Sequence, residues 1–254
     1  MIRKLLALTL FLVPVLSHAQ VQGLDEKSTE ALTKMVKLQT FFLDGRGNDL
    51  WPQPYVKEIG RKPGDDGKTL IGYQFFAPAL PKDKKYTLMV WNIVGDPYPA
   101  WKDLTLAADG KALCTASPPD PLDLWLPAGD GEPKRFILTS DDEKSKAFMT
   151  VTPFPIEGKD KDCNIQAQIL LPDAVAVLIS GQGFPPNSKA HLSGNSEGEM
   201  QSHDVTADDG GRFHVTLLPY KAGPTKGHMS VDFKSPVCDP KLKFEWGKGT
   251  FHEK

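Results

Sequence analysis

Two stretches of the chain, about 90 residues apart, carry nearly the same punctuation. The first runs Leu122-Asp-Leu-Trp-Leu-Pro127-Ala-Gly-Asp-Gly131-Glu-Pro133-Lys-Arg-Phe-Ile-Leu138. The second runs Phe213-His-Val-Thr-Leu-Leu-Pro219-Tyr-Lys-Ala-Gly223-Pro224-Thr-Lys-Gly-His-Met-Ser-Val231. Each is an alternating apolar strand, a Pro-to-Gly turn and a second strand. A repeat constrains architecture before any single residue does, because each copy must be one unit of supersecondary structure. It predicts two copies of one all-β module and no particular chemistry.

Three shorter matches extend the repeat. Gln74-Phe-Phe-Ala-Pro78 pairs with Gln168-Ile-Leu-Leu-Pro172, Gly95-Asp-Pro97 with Gly183-Phe-Pro185, and Ala107-Ala-Asp109-Gly110 with Ala207-Asp-Asp209-Gly210. The first module is expected over 69–157, with strands near 69–77, 85–93, 101–107, 121–126, 134–140 and 146–152. The second is expected over 163–251, with strands near 163–170, 174–180, 188–193, 201–206, 211–218, 226–233 and 241–246. A turn signal every 8–12 residues, from a chain holding 22 Gly and 22 Pro, fits a sandwich or barrel. Residues 158–162 read as the linker. The copies differ by insertions at 111–121, which holds Cys114, and at 194–205.

Ahead of the modules the pattern changes. Arg3 and Lys4, the apolar run Leu5 to Leu16 and the small residues of Ser17-His18-Ala19 read as a secretory signal peptide over 1–19, cleaved after Ala19. The alternative, an uncleaved anchor, needs roughly 20 apolar residues, and this run is shorter and contains Pro14. Residues 20–68 form an N-terminal segment and connector. Within it, apolar side chains at 24, 31, 32, 35, 38 and 42 approximate a helical stripe. Residues 44–68 read as irregular, with Trp51 and Tyr55 as packing points. The expected location is therefore secreted or periplasmic. A net charge of −2 gives no electrostatic reason for nucleic acid as partner, and no other segment is suited to span a membrane. Oligomeric state is not legible.

Export makes disulfides possible. Of the three cysteines, Cys163 and Cys238 nearly bracket the second module and are expected to pair; Cys114 is left over. The absence of Cys-x-x-Cys spacing speaks against a structural zinc site or a thioredoxin-like motif.

Val177-Leu-Ile-Ser-Gly181-Gln-Gly183-Phe184-Pro-Pro-Asn187, followed by Val205-Thr-Ala-Asp-Asp-Gly-Gly-Arg-Phe213, resembles the bacterial immunoglobulin-like modules of secreted proteins. The resemblance covers about 50 residues and departs in the first module, where Trp91-Asn-Ile-Val-Gly95 lacks the Gly-x-Gly-Phe. It implies tandem immunoglobulin-like β-sandwiches and, often, adhesion, spacing or ligand presentation.

Chemistry is sparse. His191, His203, His214 and His228 lie in the second module without paired spacing; His191 and His214 are placed to face each other across a sheet. Cleavage after Ser17 would make His18 an N-terminal copper ligand, but Ala19 is the better cleavage site. Asp160 and Asp162, joined by Asp141 or Asp142, are a candidate calcium site at the module junction. No other cofactor is expected. Trp91 and Trp125 lie on apolar alternations and read as core. Tyr98 and Trp101 follow the Gly-Asp-Pro turn and are the candidate binding residues for a protein or glycan ligand. Ser180-Gly-Gln-Gly183 and Ser193-Gly-Asn-Ser196 are not nucleophile elbows, and no catalytic residue is nominated. The expected protein is an exported, non-catalytic binding or structural protein. A secreted polysaccharide-acting enzyme and a periplasmic metal carrier are the alternatives.

Overall fold

The structure, a computed structural model, describes residue 30 and residues 50–93, 96–219 and 223–250. The expected signal peptide and all the apolar residues of the expected helical stripe lie outside the described residues; Glu30 is helical and exposed.

The strands run in chain order β1 (Tyr55–Pro63), β2 (Thr69–Phe76), β3 (Tyr86–Trp91), β4 (Tyr98–Leu106), β5 (Ala112–Cys114), β6 (Asp120–Pro121), β7 (Leu124–Pro127), β8 (Lys134–Ser140), β9 (Lys146–Val151), β10 (Ile156–Asp160), β11 (Cys163–Ile169), β12 (Val177–Gln182), β13 (Lys189–Ser196), β14 (Glu199–Thr206), β15 (Phe213–Leu217), β16 (Lys226–Lys234) and β17 (Lys241–Gly247). A short 3₁₀ turn, Pro172–Ala174, precedes β12. Two antiparallel sheets make the first sandwich, ordered β1-β2-β7 and β6-β5-β4-β3-β8-β9. Two more make the second, ordered β10-β11-β12-β15 and β14-β13-β16-β17. The chain is therefore a pair of immunoglobulin-like β-sandwiches.

Alternation sets the two cores. Ile71, Tyr73 and Phe75 of β2 meet Leu88 and Val90 of β3 and Phe136 and Leu138 of β8. Ile165, Ile179, Leu192, Val231, Phe233 and Trp246 do the same in the second sandwich. Each such side chain gains about 2 kcal/mol by leaving water. Phe184 and Phe213, the aromatic positions of the resemblance motifs, pack edge-to-face at 4.9 Å in the second core.

The sheet orders match strand for strand: β1-β2-β7 with β11-β12-β15, and β4-β3-β8-β9 with β14-β13-β16-β17. On this alignment the opening repeat is equivalent in both copies, as β7–β8 and β15–β16. So is the Ala-x-Asp-Gly turn after β4 and β14. It recurs for a physical reason, although in the second copy the accepting Asp is one residue earlier and the left-handed Gly one residue later than the matched Asp209-Gly210. Asp109 Oδ1 accepts the Lys111 N–H at 3.0 Å, and Asp208 Oδ1 accepts those of Gly210 and Arg212 at 2.8 Å. Gly110 and Gly211 follow at φ +87° and +71°, each against backbone that a Cβ would strike. The other two matches are not equivalent. Gln74–Pro78 leaves β2 whereas Gln168–Pro172 leaves β11, the counterpart of β1. Residues 95–97 follow β3, and 183–185 follow β12.

Four expectations about the connectors and tryptophans change. Residues 55–63, expected to be irregular, form β1, and 158–162, expected to be a linker, close the β10–β11 hairpin. Trp51 is 84% exposed and packs nothing away. Trp91 is buried as expected, 4% exposed, and Trp125 is half-buried, but both rings take the phase opposite to their strand neighbours Val90 and Leu124, which contact the core between the sheets. Trp91 lies 5.7 Å from the Arg135 guanidinium, and Trp125 covers Gly72 with the Lys62 ammonium 4.1 Å from its ring.

Candidate binding surface

β4 carries the sequence-nominated aromatics. Its first half pairs with β3 alone, because β5 joins it only at Thr105 and Leu106. Two register shifts interrupt the β3–β4 ladder, and Asp103 adopts φ 56°. Bulges of this kind, with Pro99 lacking a donor, blunt an open edge against uncontrolled strand pairing. What the segment offers is side chains. Tyr98, opposite Val90, is 41% exposed, and Trp101, opposite Leu88, is 44% exposed. Lys102 and the ion-paired Asp103–Lys85, at 3.5 Å, give a charged border. Large rings beside polar groups suit stacking on a sugar ring or a proline.

A second aromatic group, not nominated as a site from sequence, lies at the opposite end of the first sandwich. The Tyr55 ring stacks on Phe76 with centroids 4.7 Å apart and planes within 2°, and the Lys111 ammonium lies 5.3 Å from Phe76. The only sequence signal for it was Tyr55 itself.

The junction between sandwiches is built from the β7–β8 turn. The Gly131 N–H donates to the Phe154 carbonyl at 2.7 Å, and the Gly131 carbonyl accepts the Ile169 N–H at 2.8 Å. Ile93, beyond β3, packs in the second core. Beside this turn lies a buried ion pair, Lys134 Nζ to Glu132 Oε1 at 2.6 Å, whose other carboxylate oxygen accepts the Gly129 N–H at 3.0 Å. Arg135 is buried next to it. Desolvation brings its pKa down to about 10, partly opposed by the Glu132 charge.

The structure does not assemble the expected calcium ligands. Asp142 lies in the β8–β9 turn, at the end of the first sandwich away from the junction, and accepts from Ser140, Lys84 and Lys144. Asp160 lies at the far end of the second sandwich, accepting the Asp239 N–H at 2.7 Å. About two strand lengths separate them, because the hairpins turn away from the junction. His191 and His214 are likewise on different sheets. His191 bonds Asp204 and Ser202, and His214 bonds Ser180. Among the described residues no three His, Cys, Asp or Glu side chains are grouped to hold a metal ion.

Cys163 and Cys238 form a disulfide, and Cys114 is a free thiol. Burial, with Asp120 and Asp123 nearby, pushes the Cys114 pKa up. Among the described residues no helix is long and apolar enough to cross a membrane.

No known protein family and no curated protein matches the chain. Solved structures do. A tetra-tandem repeat from the extending region of a large adhesion protein is 11% identical, with 76% of this chain and 47% of that one covered and a TM-score of 0.25. The calcium-stabilised adhesin with which an Antarctic bacterium reaches out and binds ice is 12% identical, with 77% and 48% covered and a TM-score of 0.23. The chicken interferon gamma receptor alpha chain is 8% identical, with 75% and 97% covered and a TM-score of 0.21. The chain spans about half the length of these two adhesin chains. Similarity at this level carries no conclusion about function.

Proposed function

We propose that the protein is an exported, non-catalytic binding protein whose two joined sandwiches present Tyr98 and Trp101 to a protein or glycan ligand. One observation carries this. Two large rings, each more than two-fifths exposed, stand on the half of β4 that pairs on one side only. A ligand stacked there would remove apolar area that folding leaves in water, and aromatic stacking adds about 0.5–1.5 kcal/mol beyond that area. Export is supported by the charged, then apolar, then small-residue N-terminus and by the Cys163–Cys238 bond, which persists in an oxidising compartment.

The test is a glycan array and a peptide library probed with the wild type and with the Tyr98→Ala/Trp101→Ala double variant. The expected outcome is a ligand whose Kd rises at least tenfold in the double variant, with a change in tryptophan fluorescence on binding to the wild type. Binding indifferent to both substitutions would move the site elsewhere. Hydrolysis or oxidation of glycans by the purified protein would replace the proposal with an enzyme.

A further inference from the structure

The first sandwich is open at the corner between β4 and β7. Tyr98 and Trp101 stand opposite Val90 and Leu88, and directly paired residues share a face of the sheet. Both rings therefore project on the side where Val90 and Leu88 enter the core. β1 lies beside β9, which places β7, the other edge of the three-stranded sheet, on the β4 side. Leu124 and Leu126 of β7 pack against the same core and are only half-buried. Among the described residues no strand continues that sheet past β7.

The second sandwich supplies an internal comparison. There β14 and β15 hold the corresponding places. Phe213, Val215 and Leu217 of β15 are buried, and the Gln201 amide on β14 donates across the corner to the Leu218 carbonyl at 2.8 Å. The fold therefore does not itself require an open corner. In the first copy the opening also leaves main-chain groups unused. Counting from the Gly64 N–H on the Lys68 carbonyl, the β1–β2 ladder takes the main-chain groups of Leu70 and Gly72. Those of Ile71 and Tyr73 are left to meet Leu126 and Leu124. Trp125 then turns its N–H and carbonyl to the outer edge of β7, as Pro127 does its carbonyl.

We infer that an extended segment of a partner protein adds to β7 as a fourth strand, with two alternate side chains packed under Tyr98 and Trp101. This names the ligand class of the surface proposed above and rests on that reading. Val90 and Leu88 are two residues apart, about 6.6 Å along a strand, so the rings opposite them recur at the spacing of alternate side chains of an incoming strand. Sheets pack about 10 Å apart, so a strand that extends the β7 sheet lies within side-chain reach of the rings. Main-chain pairing falls to β7 because the β4 edge is interrupted by its register shifts and by Pro99. Asp120 and Asp123, both exposed where the chain enters β7, favour a Lys or Arg at that end of the segment.

The probe is a display library of nonapeptides with apolar residues fixed at alternate positions, screened against the full chain. Expected are binders whose Kd rises at least tenfold with Trp101→Ala, and at least tenfold when the peptide amides that face β7 are N-methylated. In hydrogen exchange the Trp125 amide, open in the free protein, should slow at least tenfold with peptide bound, while the strands of the second sandwich keep their rates as the folding control. A library without binders, or binders indifferent to N-methylation, would overturn the inference. So would a Trp125 amide already protected in the free protein, because the chain itself or a second copy would then occupy the edge. A glycan that needs Tyr98 and Trp101 but leaves the Trp125 amide unchanged would overturn it while the proposed function stands. Ligands indifferent to both rings would overturn the two together.

Discussion

Removing the Cys163–Cys238 bond isolates one energetic contribution unusually well. Both sulfurs lie in the second core, and the bond ties the start of β11 in one sheet to the β16–β17 turn of the other. The same two loops are also joined by the Lys161 ammonium on the Val237 carbonyl at 2.6 Å and by the Asp239 N–H on Asp160 at 2.7 Å. In the Cys163→Ala/Cys238→Ala variant these contacts keep the loops together in the native state, so the main loss falls on the unfolded chain. The cysteines are 75 residues apart, and the chain-entropy relation puts closure of such a loop at about 4.5 kcal/mol at 25 °C. That is a large part of the stability of a domain this size, typically about 5–15 kcal/mol. The assay is urea unfolding followed by fluorescence, with Trp246 reporting on the second core. With m near 1 kcal/mol per molar for a small domain, the midpoint should fall by about 4 M, or the second sandwich should be unfolded without urea. A loss below about 1.5 kcal/mol at unchanged m would refute the chain-entropy reasoning.

Three further outcomes are expected. Gly131→Ala places a Cβ 2.8 Å from Ile156 Cδ1 at φ +68°, and should cost about 1–3 kcal/mol and split thermal unfolding into two transitions in calorimetry. Lys134→Met leaves the Glu132 carboxylate buried without its cation and should cost about 3–5 kcal/mol in chemical denaturation; adding Glu132→Gln should recover most of it, and equal losses for single and double variants would contradict the pair. Asp142 is held below the usual carboxylate range, first by the Ser140 hydroxyl and then by the Lys84 ammonium. Its contribution is therefore complete above its unfolded pKa and fades as pH falls toward the depressed folded one. Asp142→Asn should lower Tm at pH 7 and flatten the pH dependence below about pH 4, and parallel Tm–pH curves would count against it.

The sequence revealed strands wherever alternation and turn chemistry agreed. β8 and β9 are where the pattern Phe136, Leu138, then Ala147, Met149 places them. β1 was hidden because its register shifts between Glu58 and Gly60, which breaks the alternation, and because it is largely exposed. β10 was hidden because Glu157-Gly-Lys-Asp160 is an edge strand with a solvated composition. Alternation also gives period without phase, which is why Trp91 and Trp125 could be read onto the wrong face. The Gln74 and Gly95 matches misled because any strand end attracts Pro and Gly. Tyr98 and Trp101 were recognisable as a pair after a turn, but the open edge beneath them follows from β5 being three residues long, which no local pattern announces.

The two backbone bonds at Gly131 have a consequence for avidity. A flexible linker leaves two modules to find their targets separately, with an effective concentration set by linker length. Here the turn of one sandwich is hydrogen-bonded to Phe154, just ahead of β10, and to Ile169, the last residue of β11, so engagement of either sandwich fixes where the other points. Any second contact is made at a preset distance and angle, or not at all.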